Sequence, residues 1–346
     1  MKKYISVISI LLLILNCIWL SGCEKKEKFT DYSFDSFDTV TTITGFETSK
    51  EKFDENCKKI KEKLKFYHKL YDIYTKYEGI NNLCYLNEKK ENIKVEKEIT
   101  ELLTFSKDMY NRTNGKVNIA MGSVLSLWHY AREEGLNHPE KAELPDIKKL
   151  KTASAHTDIN NLVIDSKNNI VSIKDKNMSL DVGAIAKGYS VQMVADWMEK
   201  KGITGYILNV GGNVCTVGDI PKGDKWKIGI ENPFDENGEE PHIAVLELKG
   251  GMSLVTSGSY QRYYVIEGKE YHHIIDEKTL MPANYFKSVS VLCEDSGVAD
   301  ALSTALFCMN YEEGIKIIES TKNTEAMWVL PDGTQKFSNN FKDFLK

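Results

Sequence analysis

Residues 181–214 read DVGAIAKGYSVQMVADWMEKKGITGYILNVGGNV. Val191, Val194, Ala195 and Met198 recur at helical spacing, the stripe stops at Gly202, and an apolar run then leads into Gly211 and Gly212. The pattern predicts a helix, a turn and a strand. Paired glycines at a strand end either make a tight turn or let a ligand approach the backbone closely, and the spacing alone does not choose between them. It is neither GxGxxG nor GxxxxGK[ST], so no Rossmann or P-loop nucleotide site is supported.

Strand patterns dominate on both sides of this stretch: NLVIDS, NIVSIKD, KWKIGIE, IAVLELKG, MSLVTSG, YYVIEG and SVSVLCE. Many are joined by short turns carrying Gly, Asn or Asp, which favours antiparallel pairing. Upstream, Ile60, Leu64, Tyr67 and Leu70 mark one amphipathic helix, and Ile99, Leu102, Leu103 and Met109 mark another that stops near Thr113–Gly115. The segment from Arg132 to Asp158 is polar, carries Pro139 and Pro145, and reads as an excursion with one short helix. With 346 residues and 42% hydrophobic composition the chain can bury a large core. The expectation is an α+β fold, a largely antiparallel sheet with packed helices. Its cleft would lie between a helical N-terminal part and a strand-rich C-terminal part.

Three further stretches carry chemistry. In SGVADALSTALFCM (residues 296–309) Ser296 can cap a helix on which Asp300 and Thr304 lie one turn apart, while Val298, Leu302 and Leu306 seek the core. A carboxylate beside a hydroxyl suits a hard cation such as Mg2+; alternatively Asp300 faces the helix dipole and Thr304 bonds its own backbone. TSGSYQRYY (residues 256–264) sets Arg262 among aromatics, and no GxSxG elbow surrounds Ser257 or Ser259, which argues against a serine hydrolase. KEYHHIIDEKT (residues 269–279) places two of the seven histidines side by side, with Asp276 three residues beyond His273. Neighbours on a strand point to opposite faces, so His272 and His273 do not easily serve one site.

At the N-terminus, Lys2 and Lys3 precede an apolar run from Ile5 to Leu20 that is too short for a typical bilayer span of roughly 20 residues, followed by Leu-Ser-Gly-Cys. This pattern predicts a lipoprotein signal peptide over residues 1–22, lipidation at Cys23, a polar tether over 23–33 and one folded domain over 34–346. The mature chain would be held by lipid on the extracytoplasmic face of the cell membrane. Loss of Lys2 and Lys3 takes the formal charge from −5 to −7, and an acidic chain does not invite nucleic acid. Of seven cysteines, Cys57, Cys84, Cys215, Cys293 and Cys308 remain beside Cys17 and Cys23. Their odd number and lack of CxxC spacing point to buried thiols rather than zinc or a disulfide framework.

Taken together, GAIAKGYSVQMVADWM, LNVGGNV, TSGSYQRYY with YHHIID, and ADALSTALF, in that order, resemble the ApbE-type FAD:protein FMN transferases from about Phe37 to the C-terminus. The resemblance implies that FAD is bound as substrate, that Mg2+ holds its pyrophosphate, and that a Thr or Ser hydroxyl of an acceptor protein attacks the FMN phosphorus, releasing AMP. The acceptor would be a membrane redox subunit. By the same resemblance, Asp300, Thr304 and the main-chain oxygen of Ala184 are metal ligands. Phe37, Tyr74, Lys116, Val117, Asn118, Asp181, Lys187, Gly211, Gly212, Ser257, Arg262 and Ile274 line the flavin nucleotide site. His273 accepts or orients the proton of the attacking hydroxyl, with Asp276 fixing its ring. Two departures stand out: Asn118 occupies a position where aspartate is usual, and Glu277 and Leu280 stand where Pro and Gly are usual. A pyrophosphatase using water in place of the acceptor, or a flavin-binding lipoprotein without chemistry, would share much of this pattern.

Overall fold

The structure, a computed structural model, describes residues 25–235 and 237–346. The signal segment at 1–22 and Cys23 lie outside the described residues. Along the chain the elements are β1 (Glu27–Ser36), β2 (Thr39–Glu47), α1 (Lys50–Tyr71), α2 (Leu83–Lys89), β3 (Ile93–Lys94), α3 (Lys97–Arg112), α4 (Gly122–Asn137), α5 (Ile147–Ser154), β4 (Leu162–Asp165), β5 (Ile170–Ile173), α6 (Ala186–Lys200), β6 (Tyr206–Val210) and β7 (Asn213–Val217). They continue as β8 (Trp226–Glu231), β9 (His242–Leu248), β10 (Ser253–Gly258), β11 (Tyr263–Ile266), β12 (Lys269–His272), β13 (Ser288–Cys293), α7 (Ser296–Phe307), α8 (Tyr311–Ser320), β14 (Glu325–Val329) and β15 (Gln335–Phe337).

An eight-stranded sheet in the order β1-β2-β6-β7-β10-β13-β14-β15 organises the molecule. Every neighbouring pair in it is antiparallel, as the short turns predicted. Period-two alternation sorts the side chains into two layers. Val255 and Val289 face a helical side that includes Leu302 and Leu306 of α7, whereas Leu254 and Leu292 face Trp226, Ile228 and Leu246 of the β8–β9 hairpin. The central strand β13 is buried along its whole length because both of its faces are covered. Helices α1 and α6 close the other end of the helical layer, where Phe53, Ile60 and Leu64 meet Val191, Val194 and Met198 over β6. The predicted stripes of α1, α3 and α6 are thus core faces.

Three expectations are corrected. The polar stretch 23–33 is strand from Glu27 onward, an edge strand whose alternating exposure lets charged residues face water, so the folded domain begins before residue 34. The polar excursion starts later than expected, since Arg132 to Asn137 complete α4, and α5 is the one short helix expected within it. The cap of α7 is Asp295, whose carboxylate accepts from the Val298 N–H at 2.9 Å, and Ser296 is the first helical residue. Cys57, Cys215, Cys293 and Cys308 are buried free thiols and Cys84 is half-buried. No helix among the described residues is long and apolar enough to cross a membrane.

Candidate active site

A cavity of about 670 Å3 opens where the β1–β2 and β6–β7 turns, the end of β10, the β11–β12 hairpin, the start of α6 and one face of α4 meet. That volume is in the range of a ligand site. Gly211 and Gly212 form the two-residue β6–β7 turn with φ of 55° and 87°, a geometry that favours glycine. A Cβ on Gly211 would stand 2.3 Å from Thr39 Oγ1, so the pair makes a tight turn pressed against the neighbouring turn while also lining the cavity.

Asp300 lies on α7, 3% exposed, and accepts from the Gly188 N–H at 2.8 Å. Gly188 is in the first turn of α6, whose N-cap residue Ile185 supplies no side-chain acceptor. Asp300 therefore satisfies an orphan donor of a different helix, at the positive end of its dipole. Burial pushes its carboxyl up, and Lys187, the Gly188 N–H and Asn213 pull the other way. The two helices touch at glycine: a Cβ on residue 188 would fall 2.3 Å from Ser296 O and 2.4 Å from Asp300 Cβ. Gly188→Ala is expected to cost about 1–3 kcal/mol, read as a lower urea midpoint, because a backbone carbonyl cannot step aside.

Thr304 sits beyond Asp300 on the same wall. Ser303 Oγ donates to Asp300 O at 3.0 Å, which leaves Ser257 Oγ to donate to Ser303 Oγ at 2.8 Å. Thr304 Oγ1, 3.4 Å from Ser257 Oγ, is then the donor of that weaker contact. Each proton in this relay points away from the threonine oxygen, so its lone pairs stay free. Among the described residues no group of three His, Cys, Asp or Glu side chains could hold a metal. The Asp300 carboxylate and the Thr304 hydroxyl line the cavity together with Ala184, and oxygen donors of this kind fit Mg2+ with water completing its shell.

The adjacent histidines have separate roles. His272 is buried: Nδ1 accepts from the Ile274 N–H at 3.2 Å and Nε2 donates to Ala283 O at 2.7 Å, so both nitrogens are committed and the ring packs edge-on to Phe307. His273 Nδ1 lies 3.2 Å from the Arg262 carbonyl. A carbonyl only accepts, so Nδ1 carries the proton and Nε2 is bare. Burial, then the nearby Arg262 charge, lowers the imidazole to about 3.

The orienting group is thus the Arg262 carbonyl, and the expectation for Asp276 is corrected. Asp276 is absent from the cavity lining. Its Oδ1 accepts from Lys278 and Thr279 N–H, closing the turn, and its Oδ2 pairs with Lys116 Nζ at 3.2 Å. That turn holds Leu280 at φ 59°, a conformation glycine would take without strain. Trp128 Nε1 donates to Leu280 O at 2.9 Å and ties the turn to α4. Both partners of the Lys116–Asp276 pair are nearly buried, at 10% and 5% side-chain exposure. Asp276→Ala, which strands the ammonium, is expected to lower stability by about 3 kcal/mol in a chemical melt.

Of the other expected residues, Tyr74, Lys116, Val117, Asn118, Asp181, Ala184, Lys187, Ser257, Arg262, Ile274 and Thr304 all line the cavity. Asn118 donates from Nδ2 to Thr157 O and accepts at Oδ1 from the Ala120 N–H, a pairing an ionised aspartate could not complete. Asp181 is held by the Gly183 N–H at 2.8 Å, and burial pushes its carboxyl up. Phe37 is a second correction: its ring packs against the α1 layer and meets His68 edge-on at 5.5 Å. The next residue, Asp38, lines the cavity instead. Both have positive φ in the tight β1–β2 turn, which alternation alone does not reveal. Sequence reasoning also missed His129 and Arg132, which line the cavity from α4: Arg132 opens the segment judged by polarity, and His129, just before it, was not read as part of a helix.

The ApbE family profile matches residues 37–328. The chain is 30% identical over 238 residues to a FAD:protein FMN transferase of Klebsiella pneumoniae, covering 68% of this chain and 70% of that one. It is 31% identical over 252 residues to a FAD:protein FMN transferase of Vibrio cholerae, covering 71% and 72%. The crystal structure of the ApbE protein of Thermotoga maritima superposes with a TM-score of 0.80 at 27% identity, covering 92% of this chain and all of that one. The flavin transferase ApbE of Vibrio cholerae, at 24% identity and a TM-score of 0.75 over 92% of this chain and all of that one, shares the fold. With the family's motifs gathered around one cavity, the chain belongs to the ApbE family.

Proposed function

We propose that the protein transfers the FMN moiety of FAD onto a Thr or Ser hydroxyl of an acceptor protein. The new bond joins the acceptor oxygen to the FMN phosphorus, the pyrophosphate link to AMP breaks, and AMP leaves. The observation that carries this reading is that His273, with its Nε2 bare, lines one cavity together with Ala184, Asp300, Thr304, Lys187 and Arg262. His273 Nε2 takes the hydroxyl proton, contributing roughly 10²- to 10⁴-fold. Lys187 and Arg262 line the cavity beside the N-terminal end of α6, positive groups that would neutralise the anionic oxygens of a bound pyrophosphate. Ala184, Asp300 and Thr304 would hold Mg2+, which when bound supplies charge neutralisation at the phosphoryl group.

The lipobox-like Leu20–Cys23 supports attachment by lipid at Cys23 on the outer face of the cell membrane, where a membrane redox subunit would be the acceptor. Incubating the mature protein with FAD, Mg2+ and a candidate acceptor separates the readings by product. Flavinylated acceptor with one equivalent of AMP is expected. Free FMN and AMP alone would instead make it a pyrophosphatase, and unchanged FAD a binding protein.

A further inference from the structure

The cavity extends past the Gly211–Gly212 turn onto the other face of the sheet. Thr42, Asn209, Val214 and Leu254 line it, and they are register neighbours on the face that the β8–β9 hairpin covers. This second lobe reaches β8, where Gly229 lines it; a glycine can do so only with its main chain. Among the described residues β8 pairs only with β9, so its other edge is free. In an antiparallel pair the N–H and C=O of one residue point to the same side, and bonded pairs alternate with non-bonded ones. The Val245 carbonyl accepts from the Lys346 N–H at 2.9 Å, on the side of β9 away from β8. Val245 stands opposite Gly229. Theirs is therefore a non-hydrogen-bonded pair, and the Gly229 N–H and C=O point out of the free edge. Tyr260 also lines the cavity, and its hydroxyl is enclosed without a hydrogen-bond partner of sound geometry among the described residues, a polar group that a ligand would satisfy. Gln261 Nε2 donates to Glu231 Oε2 at 3.1 Å, linking the end of β8 to the loop after β10.

We propose that the acceptor polypeptide docks on the free edge of β8. An extended segment adds as a third strand through the Gly229 N–H and C=O, and carries its Thr or Ser over the Gly211–Gly212 turn towards His273. Val40, half-exposed on the same face of the sheet, continues the lobe to the surface. The proposal rests on the flavin-transfer reading, which requires a protein hydroxyl to enter this cavity. Recognition then depends on main chain more than on side chains.

Hydrogen exchange gives the direct test. The probe is a soluble fragment of a membrane redox subunit that the native protein flavinylates, with its target Thr or Ser replaced by Ala to stop turnover. In its presence, with FAD, the Gly229 amide should exchange at least about tenfold more slowly. Proline tests the bond itself. The β8–β9 ladder does not use the Gly229 N–H, so proline is tolerated there as on any edge. A Cβ at this position would stand 2.2 Å from the His242 ring, and His242→Ala makes room for it. In that background Gly229→Pro should lower kcat/KM for the reactive fragment at least about tenfold and leave FAD affinity, read by flavin fluorescence, unchanged. Gly229→Ala in the same background keeps the N–H and should stay close to native. Thermal melts confirm that each variant is folded. Three results would each overturn strand addition while the flavin reading stands: no added protection at Gly229, protection that follows this protein's own concentration rather than the fragment's, or equal kcat/KM for the folded proline and alanine variants. Free FMN and AMP as the only products of the native protein would overturn the transfer reading and the docking together.

Discussion

Asp300→Asn is expected to lower metal-dependent FAD turnover by about 10²- to 10³-fold while leaving the fold intact. The amide oxygen still accepts from the Gly188 N–H, so the contact between α6 and α7 keeps its hydrogen bond. What disappears is the negative charge that Mg2+ depends on. Asn is a cleaner probe than Ala, which would leave the Gly188 N–H without its acceptor and open a gap between the helices. Burial raises the Asp300 carboxyl, so the folded state binds its proton more tightly than the unfolded chain does, and the ionised group opposes folding once pH rises above the ordinary carboxylate range. Asp300→Asn removes that opposition, and without metal its urea midpoint at pH 7 should equal or exceed the native one. Added Mg2+ should raise the native midpoint and not that of the variant. A folded variant with native turnover and native Mg2+ requirement would refute the metal assignment.

His273→Gln should lower kcat for acceptor flavinylation by roughly 10²- to 10⁴-fold with little change in FAD affinity. The native pH profile offers an independent check. An ordinary histidine loses its basic form below about 6.5, but here burial and Arg262 hold the imidazole at about 3. The free enzyme should therefore keep kcat/KM flat from pH 8 to about 5, with no inflection near 6.5. The stability consequence runs the other way. As pH falls from about 6.5 towards 3, the unfolded chain takes up a proton that the folded ring refuses, so folding weakens across that window. His273→Gln lacks this contribution, and its stability should decline less steeply over the same range. An acid limb near 6.5 that vanishes in the variant would mean that burial and Arg262 do not lower the base.

The antiparallel sheet could be read from the spaced strands between Asn161 and Glu294 because their alternation is strong and both layers of the core depend on it. β1 could not, since an edge strand facing water on one side tolerates Lys, Asp and Ser, and polar composition then resembles a tether. At the site, the residues that gather around the cavity were found through motif order, which carries positional information that periodicity lacks. The failures were local. The resemblance suggested that Asp276 serves His273, yet three residues on, the chain has already turned and the carboxylate is committed to Lys116 and two amides. Phe37 and Asp38 exchanged roles because the turn decides which neighbour faces inward. His129 and Arg132 gave no signal because a helix face is functional only through what the fold lays against it.

The pairing of Thr41 with Val210 in the central sheet also governs how the molecule is made. The first hairpin is synthesised long before the strand that anchors it, and Asp38 at its tip meets Arg262 later still. Contacts of such long sequence separation require loop closure before they stabilise anything, which predicts slow folding through partly assembled states. During that interval both long edges of the hairpin are unpaired, and the charges of β1 that disguise it as a tether keep it from annealing to other chains.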